Sequence, residues 1–389
     1  MSGKQRTVTV VIPTLNEAEN LTELTGRLFR AFDSGGLSGE VIIVDDDSQD
    51  GTVELCEELA DRFNIRLITR NGERGLATAA LFGMRAANRE TIVVMDADLS
   101  HPPESLPKLV QACNGDTDCG MAVASRYVVG GTLDPSWGRW RHVNSWVATP
   151  LARGLTRVAD PMSGFFAIRI DVFRRLVDLR PQGYKICLEL LVKARQQAVP
   201  EIPIHFSDRI HGESKLSVWE QIAFARHLGA LYAWKYPVVR ELMLFSMVGL
   251  SGLAIDLTSF AIALRFSTFA LARAAAIWLA MTWNYVWNRR LTFSQLRGQR
   301  FWSLYTGFCG ACFVGAACNW AVTMCLGTFM GMAPVKFAFC GAVVAMLANF
   351  VLCRVWVFAS SVDVATGVLE NSADQEPKVD DRNDQRLAA

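Results

Sequence analysis

Hydrophobic and polar positions divide the 389-residue chain into three parts. Residues 1–240 mix short apolar runs with charges of both signs, residues 241–359 are mostly apolar, and residues 360–389 are polar. A chain of this length is too long for one ordinary hydrophobic core, so at least two domains are expected. The polar last part has few large apolar residues and predicts a disordered tail.

Short apolar runs alternate with segments of helical spacing in the first part. The runs predict buried strands at 8–12, 40–44, 65–69 and 91–95, and the segments between them predict helices at 16–32, 52–63 and 75–87. Such alternation predicts a mostly parallel sheet with helices on both faces. Ligands of these sheets bind beyond the C-terminal ends of the strands.

Four long apolar stretches make up the second part, at 242–264, 268–287, 303–328 and 333–357. Each is long enough to span the hydrocarbon of a bilayer. Lysine and arginine concentrate before the first stretch, between the second and third, and at the end of the fourth, which predicts that both ends lie in the cytosol. Between Lys215 and Tyr236, apolar residues recur among charges, as in an amphipathic helix at the membrane surface or a helix packed on the first domain.

The second and fourth stretches end alike. The segment from Asn284 to Arg289 reads NYVWNR, with Phe293 four residues on, and the segment from Asn349 to Arg354 reads NFVLCR, with Phe358 four residues on. This internal similarity predicts two tandem helical hairpins. Asp256 and Arg273 are the main charges within the stretches, and they either pair with each other or contact a lipid phosphate.

Composition narrows the choice of partners and compartment. The net charge of +1 gives no pull toward nucleic acid, and we expect no nucleic-acid partner. The first residues are polar, so no signal peptide is expected, and the ten scattered cysteines suit a reducing cytosol. Cys309 and Cys312 form a CxxC within an apolar stretch and are interpreted as packing residues.

Acidic residues follow two of the predicted strands. Asp96 and Asp98 end the fourth strand, and paired carboxylates of this kind suit Mg²⁺ or Mn²⁺ bound together with substrate phosphates. Such a metal neutralises charge on a departing nucleotide diphosphate. Asp45, Asp46 and Asp47 end the second strand, where Asp46 can accept hydrogen bonds from a base or ribose, and Asp50 is expected to cap the next helix.

The turn after the first strand lacks the motifs of two common nucleotide-binding sites. It reads PTLNE, with neither the glycine-rich dinucleotide fingerprint nor the lysine motif of a P-loop. This argues against NAD enzymes and P-loop ATPases.

Several motifs in order resemble one family. The segments VVIPTLNEAENL, VIIVDDDSQDGT, GLATA, VVMDADLSHPP, ASRYVVGG, DPMSGFFAIR, GYKICLELLVKAR and RIHGESKLS resemble the dolichol- and polyprenol-phosphate mannose synthases, which are inverting glycosyltransferases of the GT-A fold. The apolar part resembles the GtrA-like four-helix membrane domain. The resemblance implies a GT-A α/β domain at 1–215, interfacial linker helices at 216–240, an all-α four-helix transmembrane domain at 241–359 and a tail at 360–389.

The resemblance also implies roles for individual residues. The nucleotide-holding positions correspond to Pro13, Leu15, Glu17, Val44 and Asp46, with Leu15 standing where the family frequently has tyrosine. The nucleotide-sugar and metal positions correspond to Asp96, Ala97, Asp98 and Ser100, with Ser100 standing where some members have glutamine. The basic positions correspond to Arg126, Arg141, Lys185, Arg209 and Lys215. All of these except Arg141 are implied to bind the nucleotide sugar, and Arg126 and Arg141 face the acceptor phosphate. The implied catalytic residues are Asp96, Asp98, Arg126 and Arg141. Lys185 can instead pair with Glu189, and His101 is expected to shape its turn.

The implied reaction moves mannose from GDP-mannose to a polyprenyl or dolichyl phosphate with inversion, using Mg²⁺ or Mn²⁺. A phosphate acceptor is already ionised at neutral pH, so no general base is required. The alternatives are the same reaction with UDP-glucose and translocation of a lipid-linked sugar by the four spans. A processive polysaccharide synthase is disfavoured because the Gln-x-x-Arg-Trp motif is missing, and the intact pair of Asp96 and Asp98 argues against a non-enzymatic membrane protein.

Overall fold

The computed structural model describes residues 5–72, 74–115, 119–134, 148–180, 186–195, 199–207, 218–293, 301–330 and 334–358. The described residues form two compact units that divide between Lys235 and Tyr236. The domain boundaries expected at 215, 240 and 359 stay predictions, and the expected tail lies outside the described residues.

A seven-stranded sheet forms the centre of the first unit. The strands of this unit are β1 (Thr7–Thr14), β2 (Ser38–Asp45), β3 (Ile65–Thr69), β4 (Thr91–Val94), β5 (Met121–Ser125), β6 (Thr132–Leu133), β7 (Phe166–Arg169), β8 (Glu201–Pro203) and β9 (His205–Phe206). The sheet order is β3-β2-β1-β4-β7-β5-β8, and β6 pairs separately with β9. β7 runs antiparallel to both neighbours, whereas the other pairings are parallel, so the sheet is mixed.

Helices cover both faces of this sheet, as the alternating pattern predicted. They are α1 (Ala18–Gly35), α2 (Thr52–Ala60), α3 (Leu76–Ala86), α4 (Leu106–Cys113), α5 (Ile170–Arg174), α6 (Ile186–Lys193) and α7 (Val218–Lys235). Successive residues of a strand point to opposite faces. Val10 accordingly joins the core under α1 and α4, and Val11 joins the core under α3. The first helix ends at Gly35 rather than Phe32, because Gly36 has a left-handed φ of 59° and closes it.

Four long helices form the second unit, close to the predicted apolar stretches. They are α8 (Pro237–Ala263), α9 (Phe269–Trp287), α10 (Phe301–Met330) and α11 (Pro334–Leu352). Within the described residues, two segments are long and apolar enough to cross a membrane, Pro237–Ala263 and Phe301–Cys318. Large apolar side chains are also exposed, for example Leu250 at 69% and Phe313 at 78%. Such a surface suits contact with lipid.

The two similar sequence segments end in the same structure. A π-helical turn follows α9 at Asn288–Thr292, and another follows α11 at Cys353–Val357. In each, the next phenylalanine N–H donates to the first carbonyl of the turn at 2.8 Å. The rings of those residues, Phe293 and Phe358, stack with centroids 4.3 Å apart.

Each hairpin also contains an asparagine set against a glycine. Asn284 of α9 lies against Gly252 of α8, and Asn349 of α11 lies against Gly315 of α10, so closely that a Cβ on either glycine would overlap the amide. Both asparagine Oδ1 atoms are buried without a hydrogen-bond partner. Contact with a glycine Cα–H offers each oxygen a weak hydrogen bond.

Arg273 has no described side chain, so its pairing with Asp256 stays a prediction.

We expect Gly252→Ala and Gly315→Ala each to destabilise the second unit by about 1–3 kcal/mol, because the new methyl group displaces the facing asparagine. The matched controls are Gly249→Ala on α8 and Gly310→Ala on α10, where an added Cβ meets nothing within 4 Å. Alanine favours helix over glycine, so the controls should be neutral or stabilising. Thermal unfolding in detergent checks this, and equal midpoints for test and control variants would contradict the packing argument.

A buried polar cluster joins α6 to α7. Glu189 Oε1 accepts from the Lys193 ammonium at 2.8 Å and from the Arg180 backbone N–H at 2.9 Å. Glu189 Oε2 lies 4.0 Å from His227 Nε2, and both atoms are buried. Burial lowers the pKa of His227; Glu189 acts to raise it and Lys193 to lower it, and the net shift is downward.

A histidine with a lowered pKa in the folded state binds fewer protons than in the unfolded chain. Its stabilisation is therefore complete above the unfolded pKa of about 6.5 and is lost as pH falls below it. We expect the melting temperature of the first unit to fall as the pH is lowered from about 7.5 to about 5. The fall should be smaller in His227→Gln than in the unsubstituted chain. An equal pH dependence of the melting temperature in the two proteins would contradict this role of His227.

Candidate active site

Three strand ends meet at one edge of the sheet. β1 lies between β2 and β4, with Thr14 in register with Asp45 and Val11 in register with Val94. The Met95 N–H continues the ladder to the Val11 carbonyl at 3.2 Å. The turns after β1, β2 and β4 therefore lie side by side, as expected for a ligand site in a parallel sheet.

Each of these turns contains a residue in the left-handed region. Asn16 follows β1 with φ of 58°, Asp47 follows β2 with φ of 63°, and Leu99 follows β4 with φ of 61°. Residues other than glycine rarely adopt this conformation, and such strain clusters at functional sites. Asp96 and Asp98 were predicted to end the fourth strand, but β4 ends at Val94 and the chain bends at 97–99, so Asp98 lies in a bend rather than at a strand end.

The three carboxylates at the end of β2, Asp45, Asp46 and Asp47, have separate partners, which relieves their repulsion. Asp45 accepts from the Ser48 N–H at 2.9 Å and hydroxyl at 2.5 Å. Asp47 is exposed, with Arg74 at 3.6 Å. Asp46 is buried and faces a buried arginine.

That arginine, Arg70, was missed by the sequence reasoning. Its Nε donates to Asp46 Oδ1 at 2.7 Å, and the Gly75 N–H donates to Asp46 Oδ2 at 2.8 Å. The guanidinium also donates to the Gly75 carbonyl and to the Thr78 hydroxyl at 3.2 Å. Arg70 follows β3 directly, so its position at a strand end was the signal that could have identified it.

The other predicted nucleotide residues lie along the same edge. Pro13 and Val44 are buried in the ends of β1 and β2, and Leu15 and Glu17 are half-buried in the turn after β1. The Glu17 N–H donates to the Thr52 hydroxyl at 3.1 Å, which ties this turn to the start of α2. The turns after β1 and β2 thus form one surface.

Asp50 was predicted to be the N-cap of α2, but it lies one residue before the N-cap and stabilises the surface from there. Gly51, not Asp50, is the N-cap residue of α2. Asp50 accepts from the Thr52 N–H at 3.1 Å and the Ala18 N–H at 3.0 Å. Burial acts to raise the pKa of Asp50, but a hydrogen bond from the Thr52 hydroxyl at 2.5 Å and the two backbone hydrogen bonds outweigh it and hold the pKa below its ordinary value.

The segment from Asp96 to Ser100 contains an unsatisfied hydroxyl. Asp98 is 5% exposed and accepts from the Ser100 N–H at 3.1 Å, and Ala97 between the two aspartates is buried. The Ser100 Oγ is buried and has no hydrogen-bond partner. A buried hydroxyl without a partner is costly unless a ligand satisfies it.

His101 and Gly164 fix the position of Asp96. The Asp96 N–H donates to His101 Nδ1 at 3.4 Å, and that nitrogen lies 3.8 Å from Asp96 Oδ2. The imidazole packs against Phe165 and Phe206, with centroids 5.5 and 5.3 Å away. A Cβ at Gly164 would lie 2.7 Å from Asp96 Oδ2, so any larger residue there would displace the Asp96 carboxylate.

Arg126 lies next to this segment in an ion pair. Its Nε and Nη2 donate to the two oxygens of Asp160 at 2.7 and 2.8 Å. Burial acts to lower the pKa of Arg126, but the hydrogen bonds and charge of Asp160 outweigh it, and Asp96 adds to the upward shift. Asp160 was part of a quoted motif, but sequence reasoning gave it no role.

Four predicted basic residues, Arg141, Lys185, Arg209 and Lys215, lie outside the described residues. The suggested partner of Lys185, Glu189, pairs with Lys193 at 2.8 Å. Among the described residues, no three side chains of His, Cys, Asp or Glu converge as a metal site. The structure brings together Asp96, Asp98, Ser100 and Arg126 at one end of the edge and Asp46 at the other.

Known proteins match both units. Residues 9–177 match the family model of glycosyl transferase family 2, and residues 244–358 match the GtrA/DPMS transmembrane domain. A dolichol-phosphate mannosyltransferase from Pyrococcus furiosus is 37% identical over 330 residues, which cover 84% of this chain and 92% of the relative. A dolichol-phosphate mannosyltransferase from Saccharomyces cerevisiae is 40% identical over 245 residues, which cover 61% and 90%.

A solved structure of glucosyl-3-phosphoglycerate synthase from Mycobacterium tuberculosis aligns with a TM-score of 0.46 at 20% identity, over 59% of this chain and 80% of that one. The sequence matches confirm the family resemblance that the motifs indicated. They also confirm that the first unit is of the GT-A type. The chain belongs to the dolichol-phosphate mannosyltransferase family and combines a glycosyl transferase family 2 domain with a GtrA/DPMS transmembrane domain.

Proposed function

We propose that the chain transfers mannose from GDP-mannose to a polyprenyl or dolichyl phosphate and gives a β-linked lipid phosphate mannose. One observation carries the proposal most directly: Asp98 and the unsatisfied Ser100 hydroxyl lie in the same strand-end turn as Asp96, beside the ion-paired Arg126. The names of the relatives support the sugar and the lipid class.

The residues after β4 fit a divalent metal. Asp98, Asp96 and Ser100 would hold it, since hard oxygen ligands suit Mg²⁺ or Mn²⁺, and the metal would supply the otherwise missing partner of the Ser100 hydroxyl. One or two carboxylates are enough when phosphate oxygens and water complete the shell, which agrees with the lack of a third acidic ligand among the described residues. When bound, it stabilises negative charge on the departing diphosphate.

The nucleotide would lie along the neighbouring turns. We assign Pro13, Leu15, Glu17, Val44 and Asp46 to the nucleotide, and Ala97 to the nucleotide sugar. Arg70 and the Gly75 N–H hold the Asp46 carboxylate in a single orientation, which favours directional contact with a base or ribose. Leu15 offers an apolar contact instead of an aromatic ring.

The acceptor phosphate would attack the anomeric carbon from the side opposite the diphosphate. A bond forms from the phosphate oxygen to that carbon, the bond from the carbon to the diphosphate oxygen breaks, and the configuration inverts. Because the phosphate is already ionised, positioning and charge stabilisation suffice. Arg126 and Arg141 are assigned to the acceptor phosphate, and Lys185, Arg209 and Lys215 to the donor phosphates.

The membrane unit would bring the reaction to the lipid. We propose four spans, α8 to α11, with the first unit on the cytoplasmic side, because the lysine and arginine residues cluster at that end of the helices. The Glu241 carboxylate lies 2.8 Å from the Arg354 guanidinium and links the start of α8 to the turn after α11. Translocation of the glycosylated lipid by these helices is a second role compatible with the same architecture.

We expect Asp98→Asn to lower the turnover number for mannosyl transfer about 100-fold or more, because the amide removes an anionic ligand while keeping the shape of the side chain. Asp47→Asn, which changes an exposed carboxylate at the same edge, is the matched control and should change turnover little. Transfer of labelled mannose to dolichyl phosphate measures both. Retained turnover in Asp98→Asn would overturn the assignment of the metal site.

A donor comparison tests the sugar. The full chain in detergent receives dolichyl phosphate, Mg²⁺ or Mn²⁺, and labelled GDP-mannose or UDP-glucose, with EDTA as the control. Metal-dependent label in the lipid from GDP-mannose alone is the expected result. Label from UDP-glucose alone would keep the site and replace the sugar, and no label from either would favour the translocation role.

We also expect Gly164→Ala to lower turnover about 10- to 100-fold, because its methyl group pushes Asp96 out of position. Gly26→Ala is the control, since its Cβ meets only the end of Arg30 at 3.6 Å. Thermal unfolding of both variants separates a displaced carboxylate from general destabilisation. Unchanged turnover in Gly164→Ala would show that the observed position of Asp96 is not required.

A further inference from the structure

Asp160 is a completely buried carboxylate, and Arg126 occupies both of its oxygens. Asp160 Oδ2 accepts from the Arg126 Nε at 2.7 Å and from the Arg126 backbone N–H at 3.1 Å, while Oδ1 accepts from Nη2 at 2.8 Å. This geometry is the planar two-bond pairing of arginine with a carboxylate, which fixes orientation as well as distance. The backbone bond adds a third point of attachment, so the base and the tip of Arg126 are held by one side chain.

The carboxylate that holds Arg126 is itself held in place. Glu201 of β8 accepts from the Ala159 N–H at 2.8 Å and from the Asp160 N–H at 3.1 Å. The Ser163 N–H donates to the Asp160 carbonyl at 3.3 Å, which closes the turn that leads to Gly164. The segment that carries Asp160 is therefore fixed from β8, a strand that adds no residue to the predicted site.

Aromatic rings enclose the guanidinium from other directions. The Arg126 Cζ lies 5.0 Å from the centroid of the Phe206 ring and 5.3 Å from that of Tyr127, both within cation–π range. Phe206 also packs on His101, which contacts Asp96. One packed network thus joins Asp160, Arg126, Phe206 and the segment after β4.

We propose that Asp160 is a positioning residue, which sets the plane and reach of the Arg126 guanidinium beside Asp96 so that Arg126 can bind the acceptor phosphate. The proposal rests on the proposed function, which assigns Arg126 to that phosphate. It further implies that Arg126 acts as an oriented hydrogen-bond donor rather than as an added charge, because the pair with Asp160 is neutral as a whole.

Asp160→Asn tests the proposal, since the amide keeps the volume but turns an N–H toward the guanidinium. Loss of a hydrogen bond to a charged group costs enough free energy to lower kcat about ten- to a hundredfold. We expect a much smaller change in KM for GDP-mannose. The exposed Asp171, whose carboxylate lies 3.1 Å from the half-buried Arg169, provides the control Asp171→Asn, which should leave both constants unchanged.

Chemical rescue distinguishes positioning from a structural role. In Arg126→Ala, Asp160 remains and can bind a soluble guanidinium, so added methylguanidinium should restore activity about tenfold. In the double variant Arg126→Ala with Asp160→Asn, rescue should disappear, and the loss of kcat should be no larger than in Arg126→Ala. Additive losses, or equal rescue in both variants, would overturn the proposal.

A further readout does not depend on the reaction. Arg126 should react with phenylglyoxal faster in Asp160→Asn than in the unsubstituted chain, as measured by mass spectrometry of the full protein in detergent. Glu201→Gln, which loosens the segment while keeping the Asp160 charge, should give a smaller increase. An unchanged rate in Asp160→Asn would overturn the proposal, whereas absent mannosyl transfer in the unsubstituted chain would contradict only the proposed function.

Discussion

The parallel pairing of β1 with β2 on one side and β4 on the other is the constraint on which the rest of the first unit depends. It brings three chain turns to one edge, although they are separated by dozens of residues in the sequence. Carboxylates follow two of these strands, and like charges placed together cost stability unless they have partners. The surrounding structure supplies those partners: serine for Asp45, arginine for Asp46, and the Ser100 N–H for Asp98.

The second half of the sheet positions the residues around Arg126. β7 enters antiparallel between β4 and β5, and its preceding turn brings Asp160 and Gly164 to the segment after β4. In the proposed reaction Arg126 binds a phosphate, and a mobile arginine would lose side-chain entropy on binding. A guanidinium fixed in advance by Asp160, with Phe206 against its face, avoids much of that loss.

The local pattern of hydrophobic and polar residues was sufficient to predict the first four strands and the first three helices. It was also sufficient for the acidic strand ends, because each lies within a few residues of its own strand. The pair of Arg126 and Asp160 was not predictable in this way, since its members are 34 residues apart and meet only through the pairing of β5 with β7. The bend at 97–99 was missed for a similar reason: a left-handed Leu99 is imposed by its surroundings and has no local sequence signal.

The repeated ends of the membrane helices have a consequence for synthesis of the protein. Each hairpin contains its own asparagine–glycine contact and its own π-helical turn, so these two features need no residue from the other hairpin. The first hairpin can therefore complete its internal contacts while the ribosome is still translating the second. The stack of Phe293 on Phe358 requires the end of the fourth helix, so it can form only after both hairpins have been made.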